Sequence, residues 1–268
     1  MKKNTIKTIR EKFNDLNIDG YIIPKNDEFF SEYAENDRLK NISSFTGSAG
    51  LAIILKKKNY LFVDGRYTIQ AQNESGKNFK IIEIHKKLPH AVIKDYKLGF
   101  DPNLFTSKKL KYYCSKNNKL ISINNNLIDK IFKNRLVLKK PFFSLHKKIA
   151  GESHKSKIQK IINFLEFNKT DYLFISAPEN VAWLLNIRGH DNPTSPIPNS
   201  RLIIGKNKQL LLFTKKNNIK KIITEKKIKN NFLFLSIINL ASGIGLFGLP
   251  YPLIFKSQAT FSGALINR

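Results

Sequence analysis

"GLAIILKKKNYLFVDGRYTIQ", residues 50 to 70, contains the run from which the fold is read. Two apolar, β-rich stretches, 50 to 55 and 60 to 64, are separated by lysines and an asparagine. The second closes on Asp64-Gly65, and a helix is expected over 66 to 75. Working outward, further strands are expected at Tyr21 to Ile23, stopped by Pro24, and over 79 to 85 and 97 to 101. Helices are expected over 106 to 115 and 127 to 132. Ile6, Ile9, Phe13 and Leu16 recur at three- and four-residue intervals and predict an amphipathic helix over 4 to 17, so the charged start is not a secretory signal. The mixture is α/β.

The pattern then starts again. The helix-like "KNTIKTIREKFNDLNID" before "GYIIP" is matched by "SHKSKIQKIINFLEFNKTD" before "YLFIS". Asn41-Ile42 is matched by Asn186-Ile187, "LAIIL" by "RLIIG" and "NYLFVD" by "QLLLFT". The offset stays at about 145 to 150 residues. Two tandem, mutually similar α/β domains are therefore expected at 1 to 133 and 153 to 230, the second incomplete, with a basic linker over 134 to 152. Chance agreement of two common β-α patterns is the competing account.

The remainder, 231 to 268, reads as an apolar tail containing glycine and proline. Residues 231 to 255 carry no charge and are numerous enough to span a bilayer, but Gly243, Gly245, Gly248, Pro250 and Pro252 interrupt the run. A strand followed by an irregular tail is the better description. Gly243 to Gly248 spells G-x-G-x-x-G, yet prolines occupy the helix start that a dinucleotide site needs, and no acidic residue follows Glu225.

Composition narrows the function classes. A net charge of +27 brings polyanions to mind, but only seven of the 47 basic residues are arginine, the residue suited to bidentate phosphate contacts. No nucleic-acid-binding motif accompanies the dispersed lysines, so a solvated basic surface is favoured over nucleic-acid binding. Cys114 is the sole cysteine, which excludes an internal disulfide and a thiolate metal site and fits a cytoplasmic setting. His85, His90, His146, His154 and His190 show no metal-ligand spacing, and Ser48 in "FTGSAG" lacks the glycine of a nucleophile elbow. No cluster of carboxylates and histidines suits a metal pair.

Polar residues at strand ends remain: "RLKNISSFTGSAG", "FVDGRY" and "VAWLLNIRGHDNPTSP", preceded by "YIIP". Their order and spacing resemble the N-terminal region of the Xaa-Pro aminopeptidases (aminopeptidase P), members of the creatinase and prolidase pita-bread superfamily. That family carries "ISGFTGSAG", "WTDGRY" and "IAWLLNIRGxDIPxxP". The likeness extends over about residues 5 to 215. It implies two ribonuclease H-like, creatinase N-terminal type domains with mixed sheets flanked by helices. The family activity it implies is release of an N-terminal residue preceding proline.

In that family two divalent ions, usually manganese, are held by two Asp, one His and two Glu of a third domain. Residues 231 to 268 contain no Asp, Glu or His, so the expectation is a truncated chain with no catalytic residue, no metal ligand and no cofactor of its own, inactive alone. The resemblance implies that Arg66 projects toward the peptide cleft; Arg188 and Trp183 are the further candidates for peptide contact. Three readings stand at this level: an inactive fragment, half of a split enzyme, and a non-enzymatic peptide- or nucleic-acid-binding remnant. The expected partners are a separate pita-bread polypeptide or a second copy, and proline-containing peptides once complemented.

Overall fold

A computed structural model describes residues 2–31, 36–114, 117–132, 140–192, 194–214, 218–219, 232–235 and 253–255. The chain divides into two compact units, Met1–Leu136 and Val137–Arg268.

In the first unit six strands form one sheet: β1 (Gly20–Pro24), β2 (Gly50–Leu55), β3 (Asn59–Val63), β4 (Lys80–Glu83), β5 (Lys97–Phe100) and β6 (Lys119–Ser122). Their spatial order is β4-β3-β2-β1-β5-β6. β2 is antiparallel to both neighbours, whereas β3/β4, β1/β5 and β5/β6 are parallel. Five strands thus end at the same edge of the sheet. The helices are α1 (Lys2–Glu11), α2 (Arg38–Ser43), α3 (Thr68–Ser75), α4 (Pro89–Val92), α5 (Ser107–Cys114) and α6 (Leu127–Ile131).

Strand alternation sends Tyr21 and Ile23 to a core with Ile9, Phe13, Phe45, Leu61 and Ile128, and sends Ile22 to a second core with Ile53, Phe62, Leu98 and Leu110. Burial on both faces explains why β1 reads as an unbroken apolar run rather than an alternating one.

The first helix is shorter than its periodicity predicts. It stops at Glu11, after which Lys12 and Phe13 donate to carbonyls three residues back, and Asn17 turns left-handed at φ 50°. Asn14, Asp15 and Asn17 favour turns over helix, and the turns still deliver Phe13 and Ile18 to the core. β6 was not anticipated from sequence, because "KLIS" is an edge strand with only its two central residues half-buried.

The second unit contains β7 (Phe143–Ser144), α7 (Lys147–Ala150), α8 (His154–Phe167), β8 (Tyr172–Ile175), α9 (Pro178–Leu185), β9 (Ile187–Arg188), β10 (Arg201–Gly205), β11 (Leu210–Phe213), β12 (Phe232–Leu235) and β13 (Leu253–Phe255). The sheet order is β12-β11-β10-β8-β13. The first four strands repeat the directions of β4-β3-β2-β1, but β13 runs antiparallel to β8 where β5 runs parallel to β1. α8 and α9 cover one face through Ile162, Leu165, Val181 and Leu185, while Phe174, Ile203 and Phe213 lie on the other.

Residues 140 to 152, read from sequence as part of a linker, pack here: Phe142 is fully buried and β7 pairs with β9. β12 and β13 come from the stretch read as tail. The G-x-G-x-x-G at 243 to 248 lies outside the described residues, among which no helix is long and apolar enough to cross a membrane. One detail of the repeat is corrected. Asn41 sits inside α2, whereas Asn186 caps α9 in a left-handed conformation, so the counterpart of Asn186 is Ser44, which caps α2 at φ 76°.

Candidate functional site

The edge of the first sheet where β1, β3, β4, β5 and β6 end collects the polar loops, and crevices outside carboxyl strand ends are the usual ligand positions of open α/β sheets. Asp64 leaves β3 and caps the short 3-10 turn Gly65–Tyr67: its Oδ1 accepts the Arg66 N–H at 3.0 Å and Arg66 Nε at 2.9 Å. The Arg66 side chain is 73% exposed and lies 5.5 Å from the centre of the Tyr67 ring. The hydrogen bonds from Arg66, side chain first, hold the Asp64 carboxyl down at about 2, with a smaller contribution from His85. His85 Nε2 lies 3.4 Å from Asp64 Oδ2. Gly65 is confined: a Cβ there would stand 3.2 Å from Glu83 Oε1.

The loop between α2 and β2 is tied to the same place. Tyr67 and Ser48 share a hydrogen bond of 2.9 Å. Thr46 donates its N–H and Oγ1–H to Glu74 at 2.8 and 2.7 Å, and Gln70 donates to both. Burial pushes the Glu74 carboxyl up, but these donors outweigh it and leave it below its usual range.

Behind this rim lies a buried polar layer. Arg38, 1% exposed, donates Nε and Nη2 to the two oxygens of Asp129 at 2.9 Å each, and Nη2 also to Glu28. Burial disfavours the charge, yet the two carboxylates keep the guanidinium firmly protonated. Asp27 accepts the N–H groups of Phe29 and Ser31 at 2.9 Å each, and burial pushes its carboxyl up to about 6. Asp101 accepts Asn126 Nδ2 at 2.8 Å and is likewise raised by burial. These bonds fix the loops that follow β1, β5 and β6.

In the second unit Trp183 lies on α9, 58% exposed, with the ammonium of Lys157 4.1 Å from the ring centroid. Buried Lys157 donates to Trp183 O at 2.8 Å and to Asn186 Oδ1 at 2.9 Å, and desolvation lowers its pKa. Arg188 turns its Nη1 to the carbonyls of Ala182 and Ile187 at 3.2 and 2.8 Å.

Two family models, both described as Creatinase/Prolidase N-terminal domain, match residues 5–131 and 133–237. The chain belongs to the creatinase/prolidase N-terminal domain family. It is homologous to the N-terminal region of Xaa-Pro aminopeptidases: 32% identical over 210 residues to a probable Xaa-Pro aminopeptidase P from Laccaria bicolor, and 34% identical over 219 residues to aminopeptidase P2 of Arabidopsis thaliana. The alignments take in 70% and 74% of this chain but 32% and 31% of those proteins, so the chain spans about a third of the length of these relatives. It also resembles the crystal structure of an X-prolyl aminopeptidase from Caenorhabditis elegans, described as a cytosolic enzyme with a di-nuclear active site. There the TM-score is 0.75 at 25% identity, covering 88% of this chain and 42% of that one.

Within these creatinase/prolidase domains, Arg66 sits exposed at the carboxyl edge of the first sheet. Trp183 lies on α9 of the second, and Arg188, on β9, is engaged with the main chain of Ala182 and Ile187. His85, which shows no metal-ligand spacing in the sequence, stands beside Asp64 because the parallel register sets Val63 opposite Glu83. No spacing rule signals that neighbour. Arg38 and Asp129, 91 positions apart, are equally silent in sequence.

Proposed function

We propose that this chain is the substrate-side, N-terminal portion of an Xaa-Pro aminopeptidase-like metallopeptidase and does not hydrolyse peptides alone. The observation that carries the reading is Arg66, held by Asp64 at the carboxyl edge of a creatinase/prolidase domain as a fork suited to peptide oxygens. The described residues do not fit a dinuclear metal centre: no group of three or more His, Cys, Asp or Glu among them could hold an ion. On this reading the ions, whose role would be to activate water at the Xaa-Pro amide, are brought by a catalytic region outside the described residues.

The test is direct. Purified chain with manganese and an Xaa-Pro peptide should release no amino acid above the buffer rate, and turnover by the chain alone would overturn the proposal. Mixed with a separately produced catalytic region of a related enzyme, it should restore release, and Arg66→Ala should lower kcat/KM by about tenfold or more. The net charge of +27 favours one second reading, a polyanion-binding remnant. It requires an affinity that falls steeply with salt, and absence of RNA or DNA binding at about 0.15 M salt would remove it.

A further inference from the structure

Asp64 does more than close a turn. One of its oxygens receives both the main-chain N–H and the Nε of Arg66, and the other faces His85 Nε2 at 3.4 Å. The two basic side chains arrive from adjacent parallel strands: β3 delivers Asp64 and Arg66, while β4 delivers His85 two residues after Glu83, with Ile84 N–H bonded to Val63 O at 2.9 Å. Both are about three-quarters exposed, so a ligand can reach them. The nearby Glu83 carboxylate is paired with Lys86 at 2.7 Å.

We propose that Asp64 is the positioning residue for Arg66, and that His85, drawn to the same carboxylate, completes with Arg66 a recognition element for a carboxylate on the bound peptide. The inference rests on the peptide-binding reading above. A guanidinium gripped at Nε and carried on the Tyr67 ring has its plane and direction set before a ligand arrives, so less order is lost on binding. A neutral carbonyl oxygen can accept from such a fork, but a carboxylate adds attraction to the guanidinium charge and offers a second oxygen to a ring N–H of His85. The carboxylate can be the peptide's own terminus or an acidic side chain.

The experiment follows the Arg66 Nε–H and His85 ring signals by NMR in the full chain during titration with Ala-Pro-Ala as free acid, Ala-Pro-Ala amide, Ala-Pro-Glu amide and sodium acetate. The free acid should bind at least about fivefold more tightly than its amide. Recovery with Ala-Pro-Glu amide would assign either carboxylate, and failure to recover would assign the terminal one. His85→Ala should narrow the preference for the acid by about twofold or more, and an unchanged preference would remove His85 from the element. Asp64→Asn discriminates most sharply: it makes the edge more positive, so attraction of charge alone predicts tighter binding, whereas loss of positioning predicts binding weakened by about threefold or more. Tighter binding by that variant would overturn the positioning role. Equal binding of acid and amide with Arg66 responding would overturn the carboxylate element and leave the peptide reading intact. Response to acetate without response to any peptide would do the reverse, and silence toward all four probes would remove both.

Discussion

Ser44 ends α2 at φ 76°, ψ −10°, a left-handed conformation that glycine adopts without a Cβ penalty. The related motif "ISGFTGSAG" has glycine where this chain has serine. Ser44→Gly should therefore stabilise the first unit by about 1 kcal/mol in urea unfolding, and an unchanged or lower midpoint would refute the strain. Asp27 carries its own test. Its carboxyl is pushed up from its ordinary 3.8 to about 6, mainly by burial. A raised carboxyl binds more protons folded than unfolded, so stability is lost as pH rises from about 4 through 6. Asp27→Asn keeps an oxygen for the Phe29 and Ser31 N–H groups and removes that loss; it should gain about 1–2 kcal/mol at pH 8 and little at pH 4, measured by pH-dependent unfolding. The Asp27 effect is not visible in sequence, since Asp27, like Arg38, looks like a surface residue until the fold buries it.

At the level of elements, α8 shows how far periodicity reaches. Its apolar spacing was legible and the helix forms at His154–Phe167, starting at a Ser153 cap. What sequence did not show is that Lys157, in a charged-looking position, is 3% exposed and fastens α8 to the end of α9. Lys157→Met keeps the length and removes the donors and the charge over the indole. It should cost about 2 kcal/mol and alter the emission of Trp183, the single tryptophan; wild-type emission and midpoint would show the clasp to be idle. The contrasting case is α1, where the apolar period runs on to Leu16 but the hydrogen-bond ladder stops at Glu11, because turn-forming side chains met a chain that had to bend into β1.

For the whole molecule, the division at Leu136/Val137 means that residues 1–136 contain both cores of the first sheet. Expressed alone they should unfold cooperatively, with a urea slope of about 1–3 kcal/mol/M; a broad transition with dye-binding apolar surface would show that the unit depends on its neighbour. The sequence by itself determined the α/β class, most strands, the tandem repeat and the "DGRY" strand end. Those features rest on local terms: side-chain period, glycine and proline punctuation, and strings of residues at fixed spacing. Only the tertiary structure decided that His85 meets Asp64, that Arg38 grips Asp129, that Arg188 is engaged with main chain, and that β13 pairs antiparallel where β5 is parallel. Each depends on strand partners distant in the chain, chosen by how the apolar faces close over one another, and no nearest-neighbour pattern encodes that choice.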